Sequence, residues 1–267
     1  MRYGFIGAGN LGGAMIEGMA RSKIIDPANI AVFDKLTQER VINDFSVLGA
    51  KSYEDLVLKS DIIFVAVKPN DCPPVFSGIS PYLKESNCIV VSTAAGISLA
   101  QIQDMLGWPV PAARIMPNLN ARFNKSATAV CAGTTVNKAS LDALLECLKS
   151  IGEVFCIEEK HFSVFTAIAS CSPAFTYMYI DALARAALKF GLNKQLAQQI
   201  AACSVSGSAE YLSNSPFHPY ELIDMVCSPG GVTLEGINEL MEGGFEPLII
   251  RAITACVAKD KQLKSII

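Results

Sequence analysis

Three observations predict an α/β protein, with a doubly wound parallel sheet first and an all-helical region after it. Up to Ile157, short apolar runs alternate with amphipathic stretches. Strands buried on both faces read as unbroken apolar runs, and helices between them imply parallel pairing. A glycine-rich loop, Gly7-Ala8-Gly9-Asn10-Leu11-Gly12, separates the first apolar run from the first helix. From Glu158 onward strand-like runs cease and alanine-rich helical stretches replace them. The domain boundary is therefore expected between residues 1–158 and 159–267.

The elements follow in order. Residues 3–6 form a short apolar strand, and 10–22 a helix with Leu11, Met15 and Met19 on one face. Residues 30–33 are a strand and 37–45 a helix. The uninterrupted run 61–67 predicts a fully buried strand, which 88–91 repeats. Residues 113–116 and 127–130 read as two further strands, 141–149 as a helix, and 154–157 as the strand that closes the sheet. In the second half Pro173 suits the first position of a helix running to Phe190, with Gly191 as its stop. Helices over 194–212, 218–226, 233–241 and 245–264 complete the chain.

Composition narrows the function classes. The chain has 267 residues, 51% apolar and only 18% charged, against a usual charged share of about 25%. That balance calls for a large core and a subunit interface together. A membrane is a poor home for it. The most apolar uncharged run, 162–180, is interrupted by Ser163, Thr166, Ser170, Ser172, Pro173 and Thr176, whereas a span takes roughly 20 predominantly apolar residues. Met1-Arg2 leads straight into the first strand, so no signal peptide is expected. A net charge of −3 without like-charge blocks argues against nucleic acid. Nine cysteines without a Cys-x-x-Cys pair, beside two histidines, exclude a zinc site and predict no metal. They read as small apolar residues in a reducing, cytoplasmic setting.

The glycine loop carries the first chemistry. In Gly7-x-Gly9-x-x-Gly12, the first glycine permits a tight turn, the second a close approach of backbone to pyrophosphate, and the third close packing of helix on strand. The helix N-terminus, starting at Asn10-Leu11, offers N–H groups and a partial positive charge to the phosphates. This is a Rossmann fingerprint for a nicotinamide dinucleotide. Asp34, ending the second strand, can accept from a ribose 2′-hydroxyl and favours NAD; it can equally cap the turn that follows. Lys35 can pair with a 2′-phosphate and favours NADP, so the choice of NADPH or NADH stays open. The carboxyl ends of later strands line the crevice in this fold. Val67-Lys68-Pro69-Asn70, Ser92-Thr93-Ala94-Ala95-Gly96 and Met116-Pro117-Asn118 are three such ends, and each also reads as ordinary turn chemistry. Val67, Lys68, Pro69 and Asn118 join the cofactor-binding set, with Asn118 or Asn70 able to bond ribose or the nicotinamide amide.

The second chemistry-bearing turn is Ser228-Pro229-Gly230-Gly231-Val232-Thr233, just ahead of a helix. Two glycines expose backbone N–H groups and the helix adds its dipole, which suits a carboxylate or a phosphate. Thr233 can also be a plain N-cap.

At this point the chain resembles a family, the pyrroline-5-carboxylate reductases, from end to end. The matching segments are Phe5-Ile6-Gly7-Ala8-Gly9-Asn10, Phe64-Val65-Ala66-Val67-Lys68-Pro69, Arg114-Ile115-Met116-Pro117-Asn118, and Asp181-Ala182-Leu183 through Gly191-Leu192. The most specific is His218-Pro219, Leu222, Asp224, Val226 and Ser228-Pro229-Gly230-Gly231-x-Thr233. The resemblance implies an all-helical dimerisation domain, a substrate site at a homodimer interface, and rings of dimers. It implies that Ser228, Gly230, Gly231 and Thr233 hold a substrate carboxylate and that the catalytic Thr233 hydroxyl bonds the ring nitrogen of a cyclic imino acid. The implied reaction is reduction of 1-pyrroline-5-carboxylate to L-proline. Three departures stand out: Ser170-Cys171-Ser172-Pro173 for Gly-x-Gly-Pro, Leu119-Asn120 for Thr-Pro, and Phe175 for Tyr. They keep open a weak or inactive regulatory paralogue, or another substrate. A 3-hydroxyacid dehydrogenase would carry a lysine on the first interdomain helix, and 162–180 has none. Glu221, Asp224 and Glu235 are too scattered for the metal cluster of a ketol-acid reductoisomerase.

Overall fold

The computed structural model describes residues 1–84 and 86–264. Two compact units make up the chain: Met1–Ser170 together with the turns from Cys256 on, and Cys171–Ala255.

In the first unit the described residues form an eight-stranded sheet. Its strands are β1 (Tyr3–Ile6), β2 (Ile30–Phe33), β3 (Leu48–Gly49), β4 (Ile62–Val65), β5 (Ile89–Ser92), β6 (Ala112–Met116), β7 (Ser126–Ala132) and β8 (Gly152–Cys156). Their order is β3-β2-β1-β4-β5-β6-β7-β8. The chain leaves β1 toward β2 and later crosses back to β4, so the carboxyl end of β1 is the topological switch point. The apolar runs are buried on both faces, as read from the sequence. Phe5, Ile62 and Phe64 pack under α1 (Asn10–Arg21), α2 (Gln38–Phe45) and α6 (Lys138–Lys149). Ile6, Ile63 and Val65 pack under α3 (Tyr53–Leu58), α4 (Cys72–Leu83) and α5 (Leu99–Leu106).

One pairing departs from the parallel expectation: β6 and β7 run antiparallel, Ile115 opposite Val130. The reason is length. Between them lies a single 3₁₀ turn, Leu119–Phe123, and a parallel return needs a crossover of a dozen or more residues.

Phe5 and Phe64 stack at the centre of the sheet, 4.8 Å between ring centroids, and both are fully buried. Phe64→Ala should therefore destabilise the protein by about 3–5 kcal/mol in urea unfolding. A loss under about 1 kcal/mol would remove Phe64 from the heart of the core.

The first unit also holds α7 (Phe162–Phe165), which passes without a break into a π-helical turn, Thr166–Cys171. The second unit contains α8 (Ser172–Leu188), α9 (Lys194–Ser213), α10 (Pro219–Val226) and α11 (Val232–Glu242), and α12 (Phe245–Lys264) starts there. Pro173 sits at the helix start, as expected, although the helical path reaches back to Phe162. Within this unit the buried side chains are alanines, Ala184, Ala197 and Ala201. Large apolar side chains such as Tyr177, Met178, Phe190, Ile200, Met225 and Met241 face outward. Among the described residues no helix is long and apolar enough to cross a membrane. Residues 265–267 of the predicted second domain lie outside the described residues.

Candidate functional site

Each glycine of the first loop has a distinct geometric reason. Gly7 has φ +93°, a region costly for any residue with a Cβ. A Cβ there would also lie 2.7 Å from the Ala66 carbonyl oxygen. A Cβ on Gly12 would collide with the Gly7 carbonyl oxygen and press on Ala66, so this glycine lets α1 lie against the strands. Gly9 is different: a Cβ there would meet nothing within 4 Å, and its φ of −66° suits any residue. It stands at the N-cap of α1, where no side chain caps the helix and no acid occupies the first turn. The N–H groups that open this helix, near Asn10 and Leu11, thus remain available to an anion.

Asp34 is built into this loop. Its Oδ2 accepts from the Ala8 N–H at 2.8 Å, and its Oδ1 from Leu36 N–H at 2.8 Å and Thr37 N–H at 2.7 Å. The Thr37 hydroxyl returns a bond to the Ala8 carbonyl at 3.1 Å. Burial alone would raise the Asp34 pKa, but the three backbone donors outweigh it and hold the carboxyl below its ordinary range. Asp34 caps the turn, as one sequence reading had it, and it also lines a cavity of about 320 Å³ with Gly7, Lys35, Leu36, Tyr53 and Val67. Lys35 is exposed beside it, and so is Lys68, which N-caps the short turn Pro69–Asp71.

Asn118 is 6% exposed and its amide is used within the protein. Nδ2 donates to the Ala169 carbonyl at 2.9 Å, and Oδ1 accepts from the Asn120 N–H at 3.1 Å. Ala169 lies in the π turn, four residues before Pro173. A proline has no N–H for the carbonyl four residues back, and Asn118 supplies the missing donor. Its side chain therefore braces the π turn with one N–H and one acceptor site of the amide, which leaves a second N–H and a second acceptor site unused. The Ser170 hydroxyl ties the same turn to the Pro117 carbonyl at 3.3 Å.

Sequence reasoning passed over Arg114, which lies mid-strand in β6 at 1% exposure. Its Nη1 reaches Glu159 Oε1 at 3.2 Å, and the guanidinium lies 4.4 Å over the Phe162 ring. Nε and Nη2 have no hydrogen-bond partner among the described residues, so the ring face is their compensation. Burial lowers the Arg114 pKa, with Glu159 opposing. Glu159 also accepts from the Leu99 N–H at 2.8 Å, linking three segments. Arg114→Ala is expected to lower stability by about 3 kcal/mol, because a fully buried side chain packed on the Phe162 ring is lost and a cavity is left. Wild-type stability in denaturant titration would refute that role. An arginine within an apolar strand run was the available signal.

In the second unit, α10 opens with a capping box: Glu221 accepts from the His218 N–H at 2.6 Å, and His218 Nδ1 from the Tyr220 N–H at 3.3 Å. The helix delivers the chain into the turn at Ser228. Gly230 has φ +68°, and a Cβ on Gly231 would collide with the Ser228 hydroxyl. Gly231 is the N-cap of α11, again with no side-chain cap. The N-cap reading of Thr233 therefore falls away: it lies inside the first turn, and its hydroxyl has no hydrogen-bond partner among the described residues. Ser228, Gly230, Gly231 and Thr233 are thus gathered on one turn, where the Gly231 N–H closes the turn onto the Ser228 carbonyl at 2.9 Å, the Thr233 hydroxyl is unused among the described residues, and Glu235 stands in the first turn of the helix. No cluster of metal-ligating residues occurs among the described residues.

A Rossmann loop with open helix donors, followed by a helical unit with a second open turn, defines a dinucleotide-dependent oxidoreductase. A family model described as pyrroline-5-carboxylate reductase dimerisation matches residues 159–263. One described as NADP oxidoreductase coenzyme F420-dependent matches residues 2–96. The chain is 34% identical to pyrroline-5-carboxylate reductase 2 of Bacillus subtilis (strain 168) over 266 residues, covering 98% of this chain and 95% of that protein. The pyrroline-5-carboxylate reductase structure from Coxiella burnetii matches with a TM-score of 0.90 at 28% identity, over 98% of each chain. The pyrroline carboxylate reductase of Plasmodium falciparum with NADP bound matches at 0.88 and 28%, over 99% of this chain and 98% of that one. The chain belongs to the pyrroline-5-carboxylate reductase family. A ketol-acid reductoisomerase at 11% identity and a TM-score of 0.62 shares the fold alone.

Proposed function

We propose that this chain reduces 1-pyrroline-5-carboxylate to L-proline with NADPH or NADH, the last step of proline biosynthesis. The observation that carries the reading is the turn Ser228–Thr233, which joins the family's most specific motif to an uncapped helix start. The cofactor supplies a hydride. Gly7, Gly9, Asn10, Leu11 and Gly12 would hold its pyrophosphate on the α1 N-terminus. Val67, Asp34 and Lys35 line the cavity beside that loop, and Lys68-Pro69 continue its rim. The fit is good where a phosphate needs it: Gly9 leaves the approach clear and no acid stands in the first turn.

Ser228, Gly230 and Gly231 would hold the substrate carboxylate on the second helix start, and the Thr233 hydroxyl would bond the ring nitrogen. Protonation of that nitrogen makes the adjacent carbon electrophilic. The cofactor, when bound, would supply hydride to that carbon while the C=N π pair moves onto the protonated nitrogen, which leaves the secondary amine. No strong base is required, only orientation.

The exposed apolar side chains of α8 to α11 support a homodimer through the C-terminal helices, extendable to a ring of dimers. Buried thiols such as Cys72, Cys88 and Cys147 support a reducing cytoplasm. The working division is a cofactor domain, 1–158, and a dimerisation and substrate domain, 159–267. The test is to mix protein, NADPH or NADH, and pyrroline-5-carboxylate, and follow nicotinamide absorbance. Substrate-dependent oxidation is expected. Tight cofactor binding without oxidation would favour the regulatory reading that Leu119-Asn120 and Ser170-Cys171-Ser172 keep alive.

A further inference from the structure

We propose that Asp34 makes this chain select NADH over NADPH by repelling the 2′-phosphate of the latter; the inference rests on the cofactor reading above. In this fold the adenosine ribose lies against the carboxyl end of the second strand. Asp34 occupies that end and lines the cavity that also contains Gly7 and Val67.

The carboxylate is fixed there by three backbone donors, from Ala8, Leu36 and Thr37. A carboxylate offers about four acceptor sites, so roughly one remains. A ribose hydroxyl, which is a donor, can use it. A phosphate brings only acceptor oxygens and negative charge.

Two cations oppose this effect. Lys35 and Lys51 line an adjoining depression of about 710 Å³, together with Glu39. Both lysines are exposed, so their attraction is screened by water and salt and weakened by side-chain entropy. Asp34 is half-buried and already ordered, so its repulsion is less screened and needs no further ordering. Lys51 is also within the field of Asp55, whose carboxylate its own backbone N–H supports at 2.9 Å. The fixed acid outweighs the mobile bases. The loop's hydrogen bonds keep that acid ionised through the neutral range.

The probes are ADP, 2′,5′-ADP, NADH and NADPH, titrated onto the full-length protein by calorimetry. ADP and NADH should bind at least about tenfold more tightly than their 2′-phosphorylated partners. Asp34→Asn should shrink both ratios by about tenfold or reverse them, and Lys35→Ala should widen them. Wild-type preference for 2′,5′-ADP over ADP, or ratios unmoved by Asp34→Asn, would overturn the inference. Should Asp34→Asn fail to fold, the wild-type ratios and Lys35→Ala decide alone. If none of the four nucleotides binds, the proposed function falls with it; a reversed ratio sinks only the selection by Asp34.

Discussion

Gly9→Val is expected to abolish useful cofactor binding while leaving the fold intact. A valine there meets no protein atom within 4 Å at its Cβ, and the backbone, at φ −66° and ψ −152°, needs a modest shift in ψ to reach the usual extended region. The stability change should stay within about 1 kcal/mol. The side chain would instead occupy the approach to the uncapped N-terminus of α1, the place proposed above for the pyrophosphate. Displacing it should weaken NADH by roughly a hundredfold or more. Gly12→Val is the contrasting variant. Its Cβ collides with the Gly7 carbonyl, so folding and binding should fail together, with several kcal/mol lost. Paired melting curves and NADH titrations separate the two cases. Gly9→Val with wild-type NADH affinity would sink the phosphate-binding role of this loop.

That contrast also shows where the sequence was readable. A G-x-G-x-x-G pattern between a strand and a helix has few physical solutions, so its three glycine roles could be assigned before any coordinates. The apolar runs around Phe5 and Phe64 were equally transparent, because burial on both faces leaves no polar alternation. The reversal of β7 was signalled by distance: too few residues separate Met116 from Ser126 for a crossover, a cue in chain length rather than residue type. α3, α4 and α5 were harder. α3 is short, and α4 contains Pro73, Pro74 and Pro81, which masks helical periodicity.

Asn118 and Arg114 were opaque for another reason. The partner of Asn118 is a carbonyl released by Pro173, far along the chain. Arg114 depends on Glu159 and the face of Phe162. Local pattern carries no record of such pairings. The amide of Asn118 looked like a ligand contact because the fold's general rule places ligands at strand ends. The rule locates the crevice without saying which side chains are already committed to the protein.

At the second turn, Thr233→Ala should lower kcat/KM for pyrroline-5-carboxylate by about ten- to a hundredfold, the range for losing one hydrogen bond in the transition state. NADH affinity should be unchanged, since the glycine loop remains whole. The hydroxyl is a strong candidate because the helix start is capped by Gly231 backbone alone, leaving Thr233 without a structural hydrogen bond among the described residues. Stability should therefore change little, within about 0.5 kcal/mol. Thr233→Ser, which keeps the hydroxyl, should restore most of the activity, and Thr233→Val, which keeps the shape, should not. Gly231→Ala tests the same turn from the backbone side. Its Cβ must displace the Ser228 hydroxyl, disturbing the turn proposed to hold the carboxylate, so its KM should rise more than its kcat falls. Steady-state kinetics on the four variants distinguishes the roles. If valine at 233 matched the wild type in kcat/KM, the hydroxyl would have no part in the reaction, and Thr233 would be an ordinary first-turn residue.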